Sequence, residues 1–491
     1  MWFNSVDFLW FIIIVLPIYY AIGAVRRGRG LPRILFLLAA SYFFYMYWNP
    51  VYIVLIVAST VLDYFCGLGF LKWKKDKHKW LVFFSVCGNL GILAFFKYGR
   101  FFYHNLRAAG AWIGFELPPY PEAWDFVLPV GISFYTFQTM SYTIDLYRGK
   151  TTVEKSFWRF ALFVSYFPQL VAGPIEKARH LIGEIKQSAV SARPVDMLGA
   201  FQQIGYGLFK KVAVADSIGM LINPIFADPS QYSGEQILAG SILFSFQIYG
   251  DFSGYSDIAI GLAKLFGIRI STNFFFPYFT TNIADFWRRW HMSLSSWLKE
   301  YLYITLGGNR RGRNRTYANV MVTMLLGGLW HGASWNFVLW GFLHGLYLVA
   351  YKIWGALRLP VNGLAGLGGI SRGARVPLLF LAGLFNFLLV ALTWIPFRCA
   401  SFEATTACVQ RIFTWARSDG GAAALDGGQL GVCWLLVGLV VAFDAFYNCE
   451  FLYWQQKRWP VVVKVVLVPI FIFLTIVFGA TEAQQFIYFQ F

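Results

Sequence analysis

Two of the chain's six histidines, His331 and His344, fall in a stretch from Val320 to Ala350 that contains no Lys, Arg, Asp or Glu. A neutral imidazole can take a proton from an alcohol and hand it on. At membrane depth an ionisable side chain is costly and points to function. Two readings therefore fit His331: a general base, or a neutral side chain giving one hydrogen bond to a neighbouring helix. Nucleophilic chemistry fits less well, because the chain has no G-x-S-x-G elbow and Ser334, three residues beyond His331, has no acidic neighbour in sequence. A metal site is also disfavoured. On one continuous helix His331 and His344, thirteen residues apart, would face about 220° apart. Asp251 and Asp257 lie in the apolar run Ile237 to Phe266, about 240° apart on a helix, so they form neither an acid/base pair nor a metal site. Hydrogen bonds to backbone or to a basic residue are their expected role.

The residues before His331 supply a place for a substrate. The loop Gly307 to Arg315 reads G-G-N-R-R-G-R-N-R, and Arg288 and Arg289 lie upstream of it. His331 is roughly 24 Å along a helix that begins at Arg315, at ~1.5 Å per residue. A cationic mouth leading to a buried base suits a polyanionic carrier whose reactive end is threaded inward. Coenzyme A fits, with Arg310, Arg311, Arg313, Arg288 and Arg289 facing its phosphates. The competing reading of these arginines is membrane topology and lipid head-group contact. Between them, Asn282 to Leu306 reads as one amphipathic helix capped at Thr281-Asn282, with Trp287, His291, Leu294 and Leu298 on one face.

What must hold these residues is a bilayer protein. Of 491 residues 58% are hydrophobic and 13% charged, with a mean hydropathy of +0.55, which excludes an ordinary soluble domain and implies an all-α polytopic membrane protein. The net charge of +17 reports loop topology more than nucleic acid binding. Phe8 to Val25 has no basic residue before it and no small-residue cleavage site after it, so it reads as a span. The basic stretches at 26–33 and 72–79 fall on one side by alternation of spans, which is expected to be cytoplasmic, with the N-terminus outside. Ile34 to Trp48 and Val51 to Leu71 form a hairpin turning at Asn49-Pro50. Phe126 to Leu146 turns its Ser, Thr and Gln inward. Phe157 to Pro174, broken by Pro168, Gly173 and Pro174, suggests a re-entrant piece, with a kinked ordinary helix as the alternative. Met197 to Val214, ending in Lys210-Lys211, suggests an interfacial helix. A Gly-rich linker covers Gly363 to Arg375. In all, about eleven spans are expected, with re-entrant and interfacial helices, at ~20 residues per span. Residues 1–148 hold N-terminal spans, 149–352 the catalytic core and 353–491 C-terminal spans of a single domain. Cys66, Cys87, Cys399, Cys408, Cys433 and Cys449 show no metal-binding spacing and read as free thiols, with Cys399 and Cys408 a disulfide candidate if their loop faces an oxidising space.

These motifs also carry a resemblance. W-R-R-W-H-M-S-L-S-S-W-L-K-E-Y-L-Y-I-T-L-G-G-N-R (287–310) followed by M-L-L-G-G-L-W-H-G-A-S-W (324–335) closely resembles the membrane-bound O-acyltransferase family. L-P-V-G-I-S-F-Y-T-F-Q-T-M-S-Y-T-I-D-L-Y-R-G (128–149), P-Q-L-V-A-G-P-I (168–175), D-F-S-G-Y-S-D-I-A-I-G-L (251–262) and the terminal F-I-Y-F-Q-F extend the match over nearly the whole chain. Within the family it is similar to the bacterial branch concerned with alginate O-acetylation and D-alanyl transfer to teichoic acid. The resemblance implies a ring of helices around a thinned centre. It implies that His331 is the intramembrane catalytic histidine and His291 the second histidine of the cytoplasmic motif, a catalytic candidate that would line the donor's entry or steady the thioester, with aromatic packing as its competing role. The acyl group would enter from a cytoplasmic thioester, here acetyl-CoA, and leave to a polysaccharide acceptor through a periplasmic acetyltransferase partner. The protein would sit in the bacterial inner membrane, hold no permanently bound cofactor or metal, and acetylate alginate, with cellulose and peptidoglycan as the other acceptors of such systems. A proton-relaying channel or transporter is the rival class. It would not need the arginine loop, and the chain shows no internal repeat of the kind that underlies alternating access.

Overall fold

The computed structural model describes residues 1–491 except 26–29, 125, 172, 191–194, 357–371, 417–425, 455–460, 481–485 and 488–491. The described residues form helices and no strands, and their contacts divide into two units, 1–204 with 255–271 and 205–254 with 272–491. Seven helical stretches are long and apolar enough to cross a membrane among the described residues: Val6–Val25, Pro50–Lys72, Lys75–Trp112, Trp335–Gly355, Val376–Arg398, Gly427–Phe446 and Val461–Phe478.

The first unit contains α1 (Val6–Val25), α2 (Leu31–Met46), α3 (Ile53–Lys72), α4 (His78–Leu93), α5 (Gly99–Trp112), α6 (Ile132–Tyr147), α7 (Phe157–Ser165), α8 (Phe167–Leu170) and α9 (Ala178–Val190), with most of α10 (Met197–Leu208). The hairpin at Asn49-Pro50 is present, and Asn49 Oδ1 accepts from Val51 N at 3.0 Å. The expected inward polar face of α6 is present too: Ser133, Thr136, Gln138, Thr139, Ser141 and Thr143 are all buried. The run from Phe157 is broken into α7 and α8, both too short to span and both buried. Arg33 departs from its expected place in a basic loop. It lies in the first turn of α2, buried, with its guanidinium over the Tyr19 ring at 5.0 Å and Nη1 donating to Ser188 O. Three packed helices, α3, α4 and α6, share a polar core around Asp63. Ser85 Oγ and Asn89 Nδ2 both donate to its carboxylate, Ser59 Oγ donates to Asn89 Oδ1 at 2.6 Å, and Ser85 pairs with Thr143 at 2.7 Å.

The second unit contains α11 (Asp216–Ala227), α13 (Ile283–Arg289), α14 (Met292–Trp297), α15 (Arg313–His331), α16 (Trp335–Ala356), α17 (Arg372–Arg398), α18 (Phe402–Phe413), α19 (Gly427–Trp454) and α20 (Val461–Phe478), while α12 (Gly234–Leu265) contributes residues to both units. Here the Lys210-Lys211 pair does not end an interfacial helix. Both side chains are buried in a wide π-helical turn, Phe209–Ala215. Lys211 Nζ meets Asp216 Oδ1 at 2.6 Å and Asp251 Oδ1 at 2.7 Å, while Ile487 N donates to Asp251 Oδ2 at 2.7 Å. That supplies the basic partner expected for Asp251, and uses the terminal motif to do so. Asp257 accepts from Gln203. The end of the expected linker, from Arg372, already belongs to α17, and the rest lies outside the described residues.

Candidate active site

The site grows from a hairpin. The apolar run from Val320 does not continue as one helix. It breaks at His331, the last residue of α15, where Gly332 turns to extended backbone (φ −162°, ψ 153°) and α16 starts at Trp335. Glycines let the two helices touch: a Cβ on Gly328 would sit 2.2 Å from Phe337 O, and one on Gly341 would sit 2.4 Å from Met324 O. Small residues at such crossings let helices pack where lipid gives no hydrophobic drive. The break means that His331 and His344 stand on different helices, so the 220° separation of a continuous helix does not apply.

His331 is 4% exposed and walled by rings. The centroids of Trp330 and Trp340 lie 5.0 Å from it and that of Phe397 5.3 Å, all at steep angles. Each ring contact of this kind is worth ~0.5–1.5 kcal/mol beyond its buried area, so the imidazole is held with a fixed orientation.

His291 is reached through Trp330, whose ring lies 5.9 Å from it, and Phe252 meets it edge-on at 4.6 Å. The expected single helix over Asn282–Leu306 is replaced by α13, a break at Trp290 and His291, α14 and a π-helical turn over Leu298–Tyr303. The cap survives, since Asn282 Oδ1 accepts from Asp285 N at 2.9 Å. His291 has φ 41° and ψ 57°, left-handed backbone that a non-glycine residue adopts only when its surroundings impose it. The imposition is visible: Phe275 N donates to Arg289 O, Met292 N to Asn273 O, and Ser293 Oγ to Asn273 Oδ1 at 2.6 Å. Instead of lying on one apolar helical face with Trp287, Leu294 and Leu298, His291 is fully buried at a corner. It is outside the seven candidate spans, and burial pushes its imidazole down to about 3.

His344 joins the same aromatic cluster, 4.7 Å from Trp340 and 5.1 Å from Trp287. Thr393 Oγ1 donates to Val390 O at 2.6 Å and lies 3.0 Å from His344 Nε2, so the imidazole Nε2–H donates to Thr393. In the sequence His344 stands as an ionisable group and a disfavoured metal-ligand candidate. Trp330, Trp340, Phe397 and Thr393 carry no local signal in the sequence, because their placement depends on how α16 and α17 pack after the turn at Gly332.

Arg310, Arg311 and Arg313 are exposed, in the loop and first turn that open α15. The loop needs glycine, with Gly308 at φ 58° and Gly312 at φ 84°, and Asn319 Nδ2 ties it to the helix by donating to Gly308 O at 2.9 Å. The helix N-terminus adds backbone N–H groups and positive dipole to these cations, a setting that favours phosphate. Arg288 and Arg289 instead close α13. Arg288 is exposed and bridged to Asp285, and Arg289 lies over the Phe275 ring at 5.4 Å. Among the described residues no group of three His, Cys, Asp or Glu side chains is placed to hold a metal.

The sequence profile of the membrane-bound O-acyltransferase family matches residues 146–362, which include α13 to α16. A protein of Pseudomonas aeruginosa named "Probable alginate O-acetylase AlgI" is 37% identical over 459 residues, covering 91% of this chain and 82% of its own. The "Peptidoglycan O-acetyltransferase" of Helicobacter pylori is 35% identical over 427 residues, covering 80% and 77%. The "Teichoic acid D-alanyltransferase" of Streptococcus thermophilus is 29% identical over 245 residues, covering 48% and 59%.

Proposed function

The chain belongs to the membrane-bound O-acyltransferase family and is a multi-pass membrane acyltransferase, and from that premise we propose that it moves acetyl from cytoplasmic acetyl-CoA across the bacterial inner membrane for O-acetylation of alginate. The observation that carries this reading is one helix with two ends. α15 starts in the Arg310, Arg311 and Arg313 cluster and finishes at His331, roughly 27 Å away at ~1.5 Å per residue. The donor's phosphates bind the cationic end of α15, Arg288 and Arg289 at the end of α13 supply further cations for them, and the thioester reaches the rings around His331. His331 takes the proton of the acceptor hydroxyl as its oxygen attacks the thioester carbonyl. The tetrahedral intermediate then collapses, the C–S bond breaks, and the protonated imidazole returns the proton to the leaving thiolate. His291 acts through Trp330, keeping that wall of the chamber in place.

The remaining apolar runs complete about eleven crossings, with α7 and α8 re-entrant and 149–352 as the catalytic core. A periplasmic acetyltransferase partner accepts the acetyl group and passes it to the polysaccharide. Alginate is favoured over peptidoglycan or cellulose by the Pseudomonas relative's coverage of both chains, and the Helicobacter relative supports peptidoglycan as the second acceptor. The test is O-acetyl content of alginate and of peptidoglycan in cells lacking the gene and complemented with wild type or His331→Gln. Wild type should restore alginate acetyl groups and His331→Gln should not. Restoration by both would remove the base, and restoration of peptidoglycan acetylation alone would move the acceptor.

A further inference from the structure

The proposed chemistry leaves two cysteines unused. Cys399 follows α17 directly, and Cys408 sits on α18 facing it, with Sγ atoms 3.8 Å apart. Both are buried, at 5% and 0% exposure. The approach is held from both sides. Cys399 N donates to Ile395 O, and its carbonyl accepts from Asn336 Nδ2 at 2.9 Å. α18 is capped by Ser401 and docked through Arg411 Nε to Tyr232 O at 2.8 Å and Trp415 Nε1 to Glu235 Oε1 at 3.0 Å. A disulfide would bring the sulfurs from 3.8 Å to ~2.05 Å.

We propose that Cys399 and Cys408 are a modification site that is oxidised to a disulfide in the compartment opposite the Arg310–Arg313 face. This rests on the orientation proposed above: α15 runs outward from the arginines, α16 returns, and α17 carries Arg398 and Cys399 out again. Disulfides persist in that outer space.

Chemistry distinguishes the two sulfurs. The S–H of Cys408 donates to Cys399, and Thr405 and the Arg398 guanidinium add to it, so the Cys399 thiol is held below its ordinary value. The same bond and burial push Cys408 up. Cys399 therefore attacks as thiolate on the disulfide of a dithiol–disulfide oxidoreductase, expelling one of that enzyme's sulfurs as a thiolate. Cys408 then loses its proton and attacks the Cys399 sulfur, expelling the oxidoreductase's second thiolate. Two protons and two electrons leave the pair, and one external disulfide becomes two thiols. The product bond staples α18 to the end of α17. Phe397, two residues before Cys399, is part of the His331 wall, and Asn336 links Cys399 to the start of α16, so the staple fixes the back of the chamber.

The test is mass spectrometry after trapping. Cells are alkylated with N-ethylmaleimide, and the purified protein is cleaved with trypsin without reductant. Cleavage after Arg398 and Arg411 leaves one peptide that carries both cysteines. The expected peptide carries no maleimide and is lighter by two hydrogens than the dithiol form, and reduction opens it. A peptide carrying two maleimides overturns the proposal. In a second arm, reduced protein in detergent is exposed to oxidised glutathione. Closure there, with two maleimides in cells, places the failure in the orientation. No closure there places it in the geometry.

Discussion

Asp63 and His331 are both ionisable side chains buried in an apolar chain, and they are housed in opposite ways. Asp63 is surrounded by hydroxyls and an amide: Ser85 and Asn89 donate to it, and Ser59, Thr139 and Thr143 hold those donors in turn. His331 is surrounded by the rings of Trp330, Trp340 and Phe397. A carboxylate committed to side-chain donors from a neighbouring helix is joinery, since in lipid each polar group must be satisfied within the protein. An imidazole walled by rings is oriented by its packing against Trp330, Trp340 and Phe397. The difference teaches that depth alone does not mark a catalytic group in this chain. The chemistry of the wall is what separates these two sites.

The largest effect should come from the ring-walled site. His331→Gln should lower acetyl transfer by ~10²- to 10⁴-fold, the usual contribution of a positioned base, while folded protein in the membrane is unchanged. Near-normal turnover in a well-expressed variant would erase the contrast with Asp63. Next in size, the Arg310→Ala/Arg311→Ala/Arg313→Ala variant should raise the KM for acetyl-CoA by ~10- to 100-fold, ~1.4–2.7 kcal/mol in all or about the worth of one charge-assisted hydrogen bond, and leave kcat near wild type. An unchanged KM would make these arginines a topology signal alone.

The hydrogen-bonded site should answer in stability. Asp63→Ala strands the Ser85 and Asn89 donors, at ~1–3 kcal/mol each, so the melting temperature in detergent should fall while the KM of the surviving protein stays put. A loss of turnover at unchanged stability would move Asp63 into the chemistry.

His291 gives the smallest and most selective signal, a pH slope. Its folded value of about 3 lies below the ~6.5 of an unfolded chain, so the unfolded state binds the extra proton between them. Stability is present above the unfolded value and drains away as pH falls toward the folded one. The melting temperature should decline from pH 7 to pH 4, and His291→Asn, which tolerates the left-handed backbone, should flatten that decline. An unaltered slope would contradict the assignment.

Much of this was legible in the residues. His331 stands out because nothing charged flanks it for a long stretch, and the arginine loop because four of its nine residues are Arg. The cap at Asn282 and the polar face of α6 follow from local rules. The breaks were not legible. Gly332-Ala-Ser can continue an apolar helix or end one, and only packing of α16 against α15 decides. The corner at His291 depends on Asn273, eighteen residues upstream, which no local pattern links to it. Lys210 and Lys211 read as the end of an interfacial helix because Lys211's partners, Asp216 and Asp251, meet it only across a π-helical turn and a second helix. Asp63 could have been marked, as a lone carboxylate inside the run Val51 to Leu71, yet its partners come from two other helices.

The central claim, that a donor on the arginine face is used by a base at the far end of α15, is tested most directly in sealed membrane vesicles of defined orientation. Acetyl-CoA is added outside and release of free CoA is followed. Inside-out vesicles, which on the proposed orientation expose the Arg310–Arg313 face, should release CoA with wild type and not with His331→Gln, and right-side-out vesicles should release none until opened. CoA release by intact right-side-out vesicles, or release that is independent of His331, would contradict the account.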